Sequence, residues 1–187
     1  MEYILASASP RRKELFSKIA PAFEVCAADI EEVLPSGMSV YNGPEYLAYK
    51  KAEHISKNAP DKLVVGADTA VFCDGVMLGK PKNREDAVRM LKLLSGKTHK
   101  VITGCAAFYQ GRCLSFSEVT EVTFFELSDA EIENYAATGE CDDKAGAYGV
   151  QGKGALLVKG INGDYYNVVG LPVARLSREI KKLIITG

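Results

Sequence analysis

The run Leu63-Val64-Val65-Gly66-Ala67-Asp68 constrains this chain more than any other stretch. Apolar residues and a glycine lead straight into a carboxylate, the pattern of a buried strand that ends in an acid. Residues 69–73 and 76–78 flank Asp74-Gly75, a short-hairpin signal. Residues 3–6 read as a first strand, and a helix follows with Ser9 as cap, Pro10 at its first position and Leu15, Phe16 and Ile19 inward. A short strand is expected at 23–26 and a helix at about 44–56. Asn83 caps another helix, in which Ala87, Val88, Leu91 and Leu94 recur at helical spacing. Residues 100–109 and 113–125 read as a hairpin around Gln110-Gly111, and Ser128-Asp129-Ala130-Glu131 is a capping box. A second hairpin is expected from 155–159 and 165–169 across Asn162-Gly163, and a last helix after Pro172. Helices interleave with buried strands and with hairpins, so the class is α/β with a mixed, twisted sheet and flanking helices.

With 187 residues and 47% hydrophobic composition, the chain can bury one sizeable core, or form one domain of two lobes around a cleft. It carries no repeats, no low-complexity segment and no evident linker, so a single domain over 1–187 is expected. A net charge of −1 gives no global basic field to recruit nucleic acid, and any anion site must be a local cluster. The start MEYILASASP has neither a basic n-region nor a long apolar stretch, and no run approaches the roughly 18–20 apolar residues of a membrane span. Cys26, Cys73, Cys105, Cys113 and Cys141 are scattered and never spaced C-x-x-C, which reads as reduced core thiols in a cytoplasmic protein. His54 and His99 have no ligand-spaced neighbours, arguing against a structural zinc site.

The stretch SASPRRKELF breaks a local rule. Its helix start carries Arg11, Arg12 and Lys13 beside the positive end of the helix dipole, where acids are the stabilising choice. Ser7, Ser9 and these cations can form a phosphate site, or they can be a solvent-facing basic turn. Lys51 falls within the stripe Leu47, Ala48, Ala52, Ile55; it either points to a partner or cleft, or snorkels at the stripe's edge. Asp68 at its strand end suits metal binding or water activation, or the capping of the turn that Thr69 begins. Lys80-Pro81 adds a cation at a loop mouth. Residues 143–154, DKAGAYGVQGKG, are rich in glycine and carry one amide, Gln151, suited to a base. This is no Walker A loop, since neither Ser nor Thr follows Lys153, and Gly96-Lys97-Thr98 lacks the earlier glycine because position 91 is Leu. No Gly-x-Gly-x-x-Gly follows the first strand. Cations, separated acids and a glycine loop together point to a phosphate-ester site, with a nucleotide as the first reading; which bond is cut stays open.

SASPRR, GADT, LGKP, LSGKTH, DKAGAYGVQG and VVGLP occur in that order from Leu5 to about Pro172, and together they resemble the Maf family of nucleotide pyrophosphatases. The resemblance implies an inosine triphosphate pyrophosphatase-like fold, commonly a homodimer. It also implies hydrolysis of nucleoside triphosphates to monophosphate and pyrophosphate with a divalent cation, Mg²⁺ or Mn²⁺. By the same resemblance Asp68 is the proton acceptor and a metal ligand, and Glu32 (or Glu31 beside it) is a metal-side acid. Arg12, Lys51 and Lys80 become phosphate-contacting cations. Arg11, Thr69 and Gln151 match the branch that prefers dTTP and UTP, where the other branch, for methylated GTP, carries Trp, Gln and Glu. The chain departs from the family pattern at Glu140-Cys141-Asp142-Asp143, where Glu-Pro-Leu-Asp is usual; the lost proline and added acid bear on that loop's rigidity. A different class of reading is a nucleotide-sensing partner of division proteins whose hydrolysis is incidental.

Overall fold

The computed structural model describes residues 1–185. Strand β1 (Tyr3–Leu5) runs into helix α1 (Pro10–Phe16), then β2 (Glu24–Val25) and helix α2 (Gly43–Ser56). Strand β3 (Leu63–Cys73) turns into β4 (Val76–Leu78), and α3 (Arg84–Leu94) follows. The long strands β5 (Thr98–Tyr109) and β6 (Arg112–Phe124) form a hairpin, followed by α4 (Asp129–Ala136), β7 (Val158–Asn162), α5 (Tyr165–Val169) and α6 (Val173–Ile185). The strand order is β2-β1-β3-β5-β6-β7, with β4 paired to β3. The sheet is mixed: β1 pairs in parallel with β2 and β3, while β3–β4 and β6–β7 are antiparallel. The α/β class with a mixed sheet and flanking helices is therefore what the structure has.

The chain divides into two compact units. The first comprises Met1–Asp68, Thr103–Glu118 and the segment from Gly170 onward; the second comprises Thr69–Ile102 and Val119–Val169. In the first unit, Ile4, Ala6, Ala48, Ala52, Val64 and Ala106 form a core cluster beside Tyr49, Ile55 and Phe108. Phe16 adds an edge-to-face contact with Phe23 at 5.0 Å between ring centres. In the second unit, His99, Phe124 and Tyr148 pack edge to face around one another, and the His99 ring nitrogen Nε2 lies 2.7 Å from the Tyr148 hydroxyl.

The local signals hold where they are complete. Asn83 caps α3 by accepting from Asp86 N–H at 2.8 Å, and Ser128 with Glu131 forms the capping box of α4. Asp74-Gly75 and Gln110-Gly111 both adopt positive φ, as two-residue hairpin turns require.

Two expectations need correction. The second hairpin does not exist: residues 158–162 pair with β6, and Tyr165–Val169 is a helix. Asp164 accepts from Tyr166 N–H at 2.8 Å, turning the chain into that helix, and Asn167 reaches Val101 O at 3.1 Å and Thr120 Oγ1 at 2.9 Å. Buried side-chain bonding of this kind overrides the strand propensity of the Tyr and Val residues. The cysteines are all free, but only Cys73, Cys105 and Cys141 are buried; Cys26 and Cys113 are exposed, near strand ends rather than in the core. Among the described residues no helix is long and apolar enough to cross a membrane.

Candidate active site

In the first unit, the turn between β1 and α1 is built around one guanidinium. Ser9 caps α1, accepting from Arg12 N–H at 3.4 Å. Ser7 is buried, and its hydroxyl oxygen accepts from Ser9 N–H and from Arg12 Nη1, each at 3.3 Å. Arg12 Nε donates to the carbonyl of Gly170 at 3.0 Å. Of the two serines expected to meet phosphate, Ser7 orients the Arg12 guanidinium and Ser9 caps the helix through the Arg12 backbone, and each hydroxyl keeps a proton to donate. Burial pushes the Arg12 pKa down, and the charges of Asp68 and Glu32 push it back up. Arg12 therefore shares an electrostatic neighbourhood with both acids. Arg11 is half-buried beside it in the chain. Helix α1 has no acid in its first turn, but it is only 7 residues long, so its dipole opposes the cations weakly.

The second cluster of this unit joins a helix to a strand. Lys51 on α2 places its Nζ 2.7 Å from Asp68 Oδ1 and 2.6 Å from Glu32 Oε1. The Lys51 and Asp68 side chains retain only 12% and 17% of their exposure, whereas Glu32 keeps 56%. Lys51 is thus a paired inward lysine rather than one snorkelling at the edge. Glu31, next to Glu32 in sequence, is exposed as Glu32 is. Two glycines allow α2 to lie this close to the sheet. A Cβ on Gly66 would sit 2.3 Å from Ala48 O, and one on Gly104 would sit 2.2 Å from Glu45 N. Only bare strands can carry the helix backbone at that distance.

Glu32 and Asp68 supply hard oxygen donors. Mg²⁺ and Mn²⁺ accept one or two carboxylates and complete their shells with water and phosphate oxygens, so these residues fit such an ion. No group of three or more His, Cys, Asp or Glu among the described residues could cage it.

In the second unit, Thr69 follows Asp68 directly along β3. Lys80 lies two residues beyond the end of β4, whose Leu78 pairs with Val71 of β3. Lys80 is exposed, and the carbonyl of Gly79 beside it accepts from Gly146 N–H at 3.0 Å. That bond ties the LGKP loop to the glycine-rich segment. Gln151 is exposed near the end of that segment. Three contributors were missed by sequence reasoning: the Gly170 carbonyl that holds Arg12, and the helix seats at Gly66 and Gly104. The motif VVGLP contained the first, but nothing in its residue types signals a main-chain acceptor for an arginine far away in sequence.

The Maf-like protein family profile matches residues 2–183. The chain belongs to the Maf family. Maf relatives include the dTTP/UTP pyrophosphatase of Bacillus cereus, 49% identical over 182 residues, covering 97% of this chain and 95% of the relative. The dTTP/UTP pyrophosphatase of Bacillus cytotoxicus is 50% identical with the same coverage. Among solved structures, a HAM1 protein from Coxiella burnetii aligns over 97% of this chain and 99% of its own, with a TM-score of 0.55 and 14% sequence identity. At that identity the likeness concerns the fold alone.

Proposed function

We propose that this Maf protein hydrolyses nucleoside triphosphates to the monophosphate and pyrophosphate, with dTTP and UTP preferred over purines. The observation that carries the reading is the convergence of Lys51 on Asp68 and Glu32, in the electrostatic reach of Arg12. Close identity to relatives named dTTP/UTP pyrophosphatase over nearly the whole chain supports the substrate class.

The chemistry divides among these residues by type. Asp68 accepts the proton of the attacking water as its oxygen bonds to the α-phosphorus and the bond to the bridging oxygen breaks, releasing pyrophosphate. Lys51 holds the Asp68 carboxylate in place through the 2.7 Å contact. Arg12, oriented by Ser7 and Gly170, offers a fixed guanidinium fork to charge developing on phosphate oxygens. A divalent cation, Mg²⁺ or Mn²⁺, held by Glu32 and Asp68, supplies charge neutralisation and polarisation of the phosphate when bound. Lys80 has the phosphate-contacting role that family resemblance implies. Arg11, Thr69 and Gln151 have the base-selecting one, with Gln151 able to donate to and accept from a pyrimidine's imide edge.

The test is purified protein with dTTP, UTP, GTP or methylated GTP and either cation, with separate detection of pyrophosphate and orthophosphate. Pyrophosphate release, fastest from dTTP and UTP, is the expected result. Orthophosphate as product, binding without turnover, or faster hydrolysis of methylated GTP would each overturn the assignment.

A further inference from the structure

Gln151 lies on a short loop whose backbone is held on both sides of it by side chains from outside the loop. Two residues before it, Gly149 N–H donates to the Tyr135 hydroxyl at 3.2 Å. Two residues after it, Lys153 N–H donates to the Glu140 carboxylate, 3.0 Å from Oε2 and 3.3 Å from Oε1. The loop is pinched at its base, because a Cβ on Gly154 would sit 2.0 Å from the Gly149 carbonyl oxygen. Gly152, at φ +64°, turns the chain directly against Glu140, where a Cβ would meet Oε2 at 2.9 Å. The Gln151 side chain itself is exposed and makes no hydrogen bond to another described residue.

Glu140 is itself well anchored. Its N–H donates to Thr138 Oγ1 at 3.2 Å, and its carbonyl accepts from Lys144 Nζ. Cys141, in the place of the family's usual proline, is buried, and its thiol reaches the Ala136 carbonyl at 3.7 Å. The segment after α4 is thereby pinned without the proline, and the carboxylate just ahead of Cys141 stays aimed at the loop.

We propose that Glu140 is a specificity-positioning residue, whose carboxylate fixes the Gly152-Lys153 backbone so that Gln151 presents its amide to the base. A donor and an acceptor on one amide must both align with the imide edge, which demands placement within roughly 0.5 Å. A charge-assisted bond to the backbone is about twice as strong as a neutral one, and so suits that task. The inference rests on the base-reading role given to Gln151 above.

The experiment measures kcat and KM for dTTP and GTP with wild-type protein and with Glu140→Ala, Glu140→Gln and Gln151→Ala, alongside melting temperature. Glu140→Ala should lower the dTTP-to-GTP preference by about tenfold, chiefly through KM for dTTP, the factor that accompanies loss of one hydrogen bond to a charged group. Glu140→Gln keeps one acceptor oxygen and should restore most of the preference. Gln151→Ala should lower the preference at least as far as Glu140→Ala does, Arg11 and Thr69 supplying what remains. If Gln151→Ala loses the preference while Glu140→Ala keeps it, or Glu140→Ala slows both nucleotides equally, the positioning role is wrong and the base reader stands. If Gln151→Ala leaves the preference untouched, the base-reading role fails and the inference falls with it.

Discussion

Replacing Gly66 with alanine tests whether the seat of α2 sets the catalytic geometry. The added methyl would lie 2.3 Å from Ala48 O, 2.9 Å from Ala52 N and 3.1 Å from Ala52 Cβ. Ordinary carbon–oxygen contacts fall near 3.3–3.6 Å, so the helix must retreat by about 1 Å. The obstruction is backbone and cannot rotate aside, which places the cost toward the upper part of the ~1–3 kcal/mol typical of overpacking. For a chain of this size that corresponds to a fall in Tm of roughly 4–12 °C. Lys51 immediately precedes Ala52, so its Nζ moves with the helix, and the 2.7 Å contact with Asp68 stretches beyond hydrogen-bonding range. Misplacement of about 1 Å in a catalytic constellation costs on the order of 10²-fold in rate. The assay is pyrophosphate release from dTTP, with thermal unfolding followed by circular dichroism. Gly160→Ala on β7 is the control, since a Cβ there meets nothing within 4 Å. A Gly66→Ala protein with the melting temperature and kcat of wild type would refute the close-seat reasoning.

Asp68→Asn should lower kcat by roughly 10²–10⁴-fold, the usual worth of a general base, with little change in Tm, as read by the same two assays. Lys51 keeps Glu32 at 2.6 Å in that variant, so no cation is left stranded, and near-normal turnover would remove Asp68 from the chemistry. His99 governs part of the acid stability. Burial pushes its pKa from 6.5 down to about 4, so the folded state holds it neutral while the unfolded chain binds a proton below pH 6.5. Its contribution is complete above pH 6.5 and is lost as pH falls toward 4, up to about 3 kcal/mol. Thermal unfolding between pH 7 and 4 should therefore slope less steeply for His99→Gln than for wild type, and parallel curves would exclude His99 as the source.

The legible parts of this protein are those whose physics closes within four or five residues. The caps at Ser9, Asn83 and Ser128 and the turns at Asp74-Gly75 and Gln110-Gly111 follow from hydrogen-bond reach and positive φ along the local chain, and the apolar run into Asp68 from its unbroken hydrophobicity. Lys51 was readable as inward because helical periodicity put it among Ala48 and Ala52, both fully buried. Its partners were not readable from that periodicity: Glu32 lies in a loop before α2 and Asp68 on a strand after it. The failed hairpin at 165–169 marks the same boundary, since Asn167 chooses helix through Val101 and Thr120, residues that only the sheet brings to it. Sequence alone determined which residue types were present and which local turns they could make. Tertiary structure decided which of them share a hydrogen bond, because burial and sheet order, unlike capping and periodicity, depend on residues far apart in the chain.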